Sequence, residues 1–283
     1  MPRYDLAGRT VLLTGSTGGL GAALARALRE RGANLALLDL DGDLARQQAA
    51  GLGPASAARG WAADVRDLAG LQSAADAAAE HFGRIDVAVA NAGVGSMAPL
   101  ERIDPAAWER IIDINLNGVW RTFRATLPHV KHTKGYLLAV SSMAAFVHSP
   151  LNGPYVAGKA GVWALCDATR LEVRHYGVGV GSVHPTFFKT PMMDDVHSDP
   201  AGTTLWGGNK SGLWKMIPLE TVVDSVVTGI ERRKPLIVPT RTNAIAARIP
   251  GLVRPLVDRI GFRGTTIPDA IAQASETGWI SRR

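Results

Sequence analysis

The sequence predicts a doubly wound α/β fold, in which one parallel sheet is covered by helices on both faces. Three observations carry this expectation. Short strand-like runs alternate with longer helical stretches through most of the 283 residues. The runs are apolar on both faces, as in a sheet buried from either side. The first run also passes directly into a glycine cluster and then a helix. In such a fold ligands bind beyond the carboxyl ends of the strands, where the chain order reverses.

The first strand, TVLLTG, enters TGSTGGLG at 14 to 21, and a helix is expected over 18 to 31. Gly15, Gly19 and Gly21 permit a tight turn and close backbone approach, so that helix N–H groups face a pyrophosphate. Thr17 and Leu20 share this loop as cofactor-binding candidates. The second strand, NLALLDL, carries Asp39 about twenty residues past the glycines, where a carboxylate can accept both ribose hydroxyls of an adenosine. Neither Gly18 nor Leu40 supplies a base for a 2′-phosphate, so NAD is expected over NADP. The alternative makes Asp39 a solvated loop residue or a helix cap beside Asp41.

A helix over 42 to 51, the strand GWAADV and a helix over 67 to 81 follow, then IDVAVANAG and a helix over 105 to 130. The second half continues with YLLAVSS, a helix over 154 to 176, VGVGSVHP, a helix over 220 to 231 and PLIVP. Within the 154 to 176 helix, NGPYVAGKAG places Tyr155 and Lys159 four residues apart. That spacing sets both on one helix face. Taken alone, the pair equally describes a core tyrosine beside a solvated lysine.

With 46% hydrophobic and 20% charged residues, the chain has ample material for a core. No apolar run reaches the roughly 20 residues of a membrane span, and the N-terminus runs into a strand without a signal-peptide pattern. The single Cys166 agrees with a reducing compartment, so a cytoplasmic protein is expected. The net charge of +6 sits wholly in residues 230 to 283, which hold ten Lys/Arg against four Asp/Glu. No nucleic-acid-binding module accompanies it, so no nucleic-acid partner is expected. No repeat or linker divides the chain. One domain over 1 to 240 with an extension over 241 to 283 is expected, and no metal site.

Taken together, TGxxxGxG at 14 to 21, Asp64 after the third strand, ANAG at 90 to 93, Asn115 in DINLNG, Ser142 in VSSMAA, and Tyr155 with Lys159 resemble the short-chain dehydrogenase/reductase family over nearly all of residues 5 to 240. The resemblance implies a Rossmann-like core, a nicotinamide cofactor and reversible hydride transfer between an alcohol and a carbonyl. It implies a homo-oligomer, dimer or tetramer. It makes Tyr155 the general acid/base and gives Lys159 a second task at the nicotinamide ribose. It also makes Asn115 the residue that positions a relay water, where the residue alone reads equally as a buried amide that satisfies backbone in an interrupted helix. Asp64 and Val65 would flank the adenine, while Asn91, Ala92 and Gly93 would lie beside the cofactor. Chemistry supports the tyrosine: a free phenol, with a pKa of about 10, is a poor base at neutral pH. A nearby ammonium would lower it, and Ser142 could hold the substrate oxygen.

Two departures stand out. Ala90 replaces the first of two common asparagines, and Pro185 is followed by Thr186 where the family often has glycine. Thr186 would narrow the floor of the pocket, whereas Thr190 keeps a position expected to bind the carboxamide or pyrophosphate. Segment 187 to 217 is too long for a plain connector and is expected to form a lid. Its Phe187, Phe188, Met192, Trp206 and Trp214 either line an apolar substrate pocket or seal the core or a subunit contact. The basic, amphipathic tail is expected to pack over the body or a partner subunit, with peripheral membrane contact as the alternative. The expected activity is NAD(H)-dependent interconversion of a hydrophobic secondary alcohol and its ketone, on a steroid, terpenoid or lipid-like substrate. The alternatives are a 3-oxoacyl or polyketide-type ketone reductase and a non-catalytic nucleotide binder.

Overall fold

The structure, a computed structural model, describes residues 3–274 and 279–280. Strand β1 (Thr10–Thr14) is wholly buried and lies at the centre of the sheet, between β2 (Asn34–Asp39) and β4 (Val87–Ala90). Leu12 pairs in register with Ala36 on one side and Ala88 on the other. The full order is β3-β2-β1-β4-β6-β7-β8, with every pair parallel. Here β3 is Ala58–Ala62, β6 Tyr136–Val140, β7 Gly179–Val183 and β8 Leu236–Ile237. The order reverses between β1 and β4, which creates a crevice at their carboxyl ends. This is the Rossmann-like doubly wound sheet that the alternation predicts.

Because side chains alternate along a strand, β1 feeds two cores. Val11 and Leu13 pack with Leu24 and Leu28 of α1 (Gly19–Glu30) and with Val226 and Ile230 of α9 (Leu219–Glu231). Leu12 packs on the other face with Leu71 of α3 (Leu68–Phe82), Phe123 of α5 (Gly118–Thr133) and Val162 of α6 (Gly153–Val173). Each fully buried leucine contributes roughly 1.5–3 kcal/mol relative to exposure. Helix α2 (Gly42–Leu52) is capped by Asp41, whose Oδ1 accepts from the Asp43 and Leu44 amides at 3.1 and 3.0 Å.

At the amino-terminal edge of the sheet, the buried Asp86 accepts from Arg9 at 2.8 Å, Arg84 at 2.6 Å and the Thr10 amide at 3.0 Å. The opposite edge carries the candidate site. Strand β8 is two residues long and lies between Pro235 and Pro239.

Several boundaries differ from the expected ones. The helix expected over 105 to 130 is interrupted: α4 (Pro105–Ile112) meets α5 through a π-helical turn, Asp113–Asn117. The third strand begins earlier than GWAADV. A short pair, β5 (Ser96–Met97) with β9 (Trp279–Ile280), is antiparallel and was not expected. Segment 187 to 217 folds into α7 (Pro191–Ser198), α8 (Pro200–Trp206) and two 3₁₀ turns. The tail forms α10 (Arg241–Arg248), α11 (Pro250–Gly261) and α12 (Thr266–Gln273), with α12 packed against α8. Among the described residues no helix is long and apolar enough to cross a membrane.

Candidate active site

The glycine loop leaves β1 with Gly15 in the left-handed region, at φ 61°. A side chain there would meet the Ala92 backbone at 2.8 Å, and a Cβ on Gly21 would sit 2.1 Å from the Gly15 carbonyl. Both glycines are therefore required by close backbone approach. Helix α1 begins at Gly19, and its N-cap Gly18 has no side chain to cap it, so the first N–H groups are available to an anion. Leu20 is buried in the core beneath this turn, and the buried Ser16 hydroxyl has no partner. Across the loop, a Cβ on Gly19 would touch Thr190 and Pro191 at 3.1–3.3 Å, which sets the start of α7 against the phosphate turn. The Thr190 hydroxyl caps α7 by accepting from the Met193 amide.

Asp39 ends β2 and turns back towards the loop: its Oδ2 accepts from the amide and hydroxyl of Thr17, at 3.0 and 2.8 Å. Its Oδ1 has no hydrogen-bond partner among the described residues. Asp41 takes the capping role that was the alternative for Asp39. Leu40 beside it is exposed.

Asn91 stitches β4 to β1, donating to the Thr14 and Gly15 carbonyls at 3.1 and 2.9 Å. The Asn91 and Ala92 amides donate to the Thr14 hydroxyl. Gly93 lies close against the site: a Cβ there would crowd Asn115 Oδ1 at 3.2 Å and Lys159 Nζ at 3.4 Å. Val65 packs against Gly118. Asp64 is held by Arg66, whose hydrogen bonds keep the carboxyl below the usual carboxylate range. Free N–H groups at a helix start, a glycine cradle and an open carboxylate oxygen fit a dinucleotide along this crevice.

Ser142 follows β6 and hydrogen-bonds Tyr155 near the start of α6. Lys159 is one turn further on, with Nζ 5.6 Å from the Tyr155 ring centre and donating to the Val140 carbonyl at 2.8 Å. The lysine is 4% exposed, so the reading of a solvated lysine does not apply. Burial raises the Tyr155 phenol, and the Ser142 hydrogen bond draws it back in part. Burial also pushes Lys159 down to about 8. Among the protein's own groups, desolvation acts against charge on both Tyr155 and Lys159, so the lowering of the phenol expected from the ammonium and the nicotinamide ring together does not come from the lysine by itself.

Asn115 lies in the π turn and is fully buried. Its Nδ2 donates to the Val94 carbonyl and its Oδ1 accepts from the Val94 amide, both at 2.8 Å. This is the buried, backbone-satisfying amide that was the alternative for Asn115; its partner Val94 was not visible in the sequence, and the clamp occupies the side chain that was expected to hold a water. A second unforeseen contact involves His184, fully buried just after β7. Its Nδ1 lies 3.1 Å from the Ser142 carbonyl, which can only accept, so Nδ1 carries the proton and Nε2 accepts from Ser182 at 2.8 Å. Burial pushes this histidine down to about 4. A neutral, single-tautomer imidazole therefore fixes the main chain at Ser142. The only sequence signal was a histidine where strand meets proline.

The pocket expectation needs correction. Phe188 packs on the central core and bridges to Ile217, so it is no pocket wall. Trp206 is 3% exposed inside a separate small core that includes Met97, Leu151 and Ala270 of α12. Phe187 and Trp214 flank that core, with ring centres 6.2 Å apart, and Trp214 stacks on Phe262 of the tail at 5.3 Å. Pro185 and Thr186 occupy the loop between β7 and this lid, and Met192 lies in α7 of the lid itself; Pro185 is buried and the other two are half-buried.

Residues 9–201 match the short chain dehydrogenase family model. Among curated proteins, D-threitol dehydrogenase of Mycolicibacterium smegmatis is 36% identical over 204 residues, covering 71% of this chain and 78% of that protein. The 3beta-hydroxysteroid dehydrogenase 1 of Eggerthella lenta is 35% identical, covering 69% and 77%. A short chain dehydrogenase/reductase from Burkholderia phymatum, solved in complex with NAD, shares the fold with a TM-score of 0.78 at 23% identity, covering 92% of this chain and 99% of its own. The chain belongs to the short-chain dehydrogenase/reductase family. It is an oxidoreductase that acts on CH–OH groups with a nicotinamide cofactor.

Proposed function

We propose that this enzyme interconverts a hydrophobic secondary alcohol and its ketone, with NAD preferred over NADP and Tyr155 as general acid/base. The observation that carries the reading is the meeting of Ser142, Tyr155 and buried Lys159 at the carboxyl end of β6. In oxidation, Ser142 donates a hydrogen bond to the substrate oxygen and Tyr155 takes its hydroxyl proton. Lys159, held by Val140, presents its ammonium on the same helix face. Bound NAD supplies the hydride acceptor and a positive ring that adds to the lysine in favouring phenolate. Asp39 Oδ1 would accept from the adenosine ribose, while Val65 and Asp64 lie where the adenine would rest. Asn91, Ala92 and Gly93 would line the crevice, with Thr186 and Thr190 at the nicotinamide end.

An apolar substrate is favoured by Phe187, Met192 and Trp214 at the lid; Phe188 and Trp206 serve packing instead. The two curated relatives act, by their names, on a small polyol and on a steroid, so the lid decides between such classes. We read residues 1 to 240 as the catalytic domain, with the lid at 187 to 217, and residues 241 to 283 as an extension whose helix α12 packs on α8 of that lid. We read the protein as a cytoplasmic homo-oligomer; the single Cys166, a buried free thiol, agrees with a reducing compartment.

The test is NADH absorbance across steroid, terpenoid, lipid and polyol alcohols and ketones. Tyr155→Phe should lower turnover by at least roughly 10²-fold and leave NAD affinity little changed. Retained activity in that variant removes Tyr155 as the base, and turnover confined to small polyols removes the hydrophobic substrate.

A further inference from the structure

The tail turns an apolar face to solvent. Ile245, Ile249, Leu252, Leu256 and Ile260 are 58, 44, 77, 58 and 45% exposed, while Ala246, Ala247, Val253 and Val257 of the same segment pack inward. The intervals of four, three, four and four residues follow helical spacing, so within α11 the exposed side chains form one stripe. Arg259 lies three residues after Leu256 and seven after Leu252, and so borders that stripe. Arg248 precedes Ile249, and Arg241 and Arg263 stand at the two ends; all four arginines are exposed.

The position of this face is specific. On one side Arg254 of α11 donates to the Phe146 carbonyl, in the loop that follows Ser142. On the other, Gly261 leaves no room beyond the Trp214 ring of the lid, and the lid turn adds exposed Leu213. Helix α11 thus bridges the catalytic loop and the lid; its outer surface is apolar, with exposed Asp258 beside exposed Arg259, and the basic excess of the face comes from exposed Arg241, Arg248 and Arg263 around it.

We propose that α10 and α11 form a docking face for an anionic lipid bilayer, with the apolar stripe entering the headgroup boundary and the arginines binding lipid phosphates. A second copy of the chain is the poorer occupant. A two-fold contact across this stripe would bring Arg248 and Arg259 towards their own copies, and like charges oppose such an interface. The inference does not depend on which alcohol the enzyme oxidises.

Flotation of the full chain with phosphatidylcholine vesicles, and with phosphatidylcholine–phosphatidylglycerol vesicles, tests this at low and high salt. Binding to the anionic vesicles is expected, weaker at high salt and at least tenfold weaker without phosphatidylglycerol, since each surface arginine is worth about fivefold. The double variant Leu252→Ser/Leu256→Ser should lose at least tenfold in vesicle binding while keeping its melting temperature and its turnover in solution. Arg248→Gln/Arg259→Gln should erase most of the preference for anionic vesicles. The proposal is overturned if the wild-type chain stays unbound with anionic vesicles, or if the leucine variant binds them as well as wild type. It is equally overturned if sedimentation shows the leucine variant dissociating an oligomer without any change in vesicle binding, which would make a second copy the occupant.

Discussion

Lys159 is buried, and its pKa is pushed down to about 8 by desolvation, so the folded protein is penalised for carrying its charge at neutral pH. The unfolded chain, with a lysine near 10.4, holds more protons between those values. The penalty is complete below about 8 and fades as pH rises towards about 10.5. Lys159→Met should therefore raise the stability of the ligand-free protein at pH 7 by up to about 2 kcal/mol, after allowing for the lost hydrogen bond to Val140. Thermal melts from pH 7 to 10.5 should show that gain shrinking, while turnover of the same variant is abolished. A constant gain across this range would mean that burial does not shift the pKa of the lysine. At the other end of the crevice, cofactor choice rests on Asp39, where a 2′-phosphate would meet a like charge at a cost of about 1–4 kcal/mol. The wild type should favour NAD by at least tenfold in kcat/KM, and Asp39→Ala/Leu40→Arg should level or reverse the ratio. Equal use of both cofactors by the wild type would show that Asp39 serves only Thr17.

The π turn between α4 and α5 delivers Asn115 to Val94, and the loop after β4 is held by those two hydrogen bonds. Asn115→Ala leaves both polar groups of the buried Val94 backbone unpaired, at about 1–3 kcal/mol each. A melting temperature lower by several degrees is expected, with a weaker cofactor affinity because Gly93 lies on the freed loop; an unchanged melt would show the clamp to be incidental. This contact joins residues 21 apart: a buried Asn115 in an interrupted helix was legible as an alternative, but its partner Val94 was not, whereas Tyr155 and Lys159 were legible because one helical turn sets their meeting. The aromatic residues of the lid illustrate the same limit. Phe187 and Phe188 adjoin in sequence, yet Phe187 packs with the lid core and Phe188, bridged to Ile217, with the central core. Trp206 is covered only because α12 closes on α8, a long-range event that a basic tail does not announce.

Across the whole molecule the sheet separates two tasks. Glycine loop, Asp39, Asn91, Ser142 and His184 all follow carboxyl ends of strands, while Asp86, Arg9 and Arg84 tie β1 and β4 together at the other edge. Asp86→Asn should cost about 2–4 kcal/mol, below the full cost of breaking a buried pair because both arginines are partly exposed. KM and the NAD preference should not move, and a change in either would show the two edges to be coupled. This architecture was readable because β1, β4 and β6 are apolar on both faces, which only a sheet covered on each side accommodates. The limits of the sheet are set differently. β8 has two residues between Pro235 and Pro239, and prolines cannot donate to a further ladder; at the far edge β3 carries the exposed Arg59. Neither margin offers a template on which a neighbouring backbone could extend the sheet. Precipitation in a concentrated stock should therefore proceed no faster than molecules unfold and expose their interior strands, so that a ligand which slows unfolding also prolongs storage.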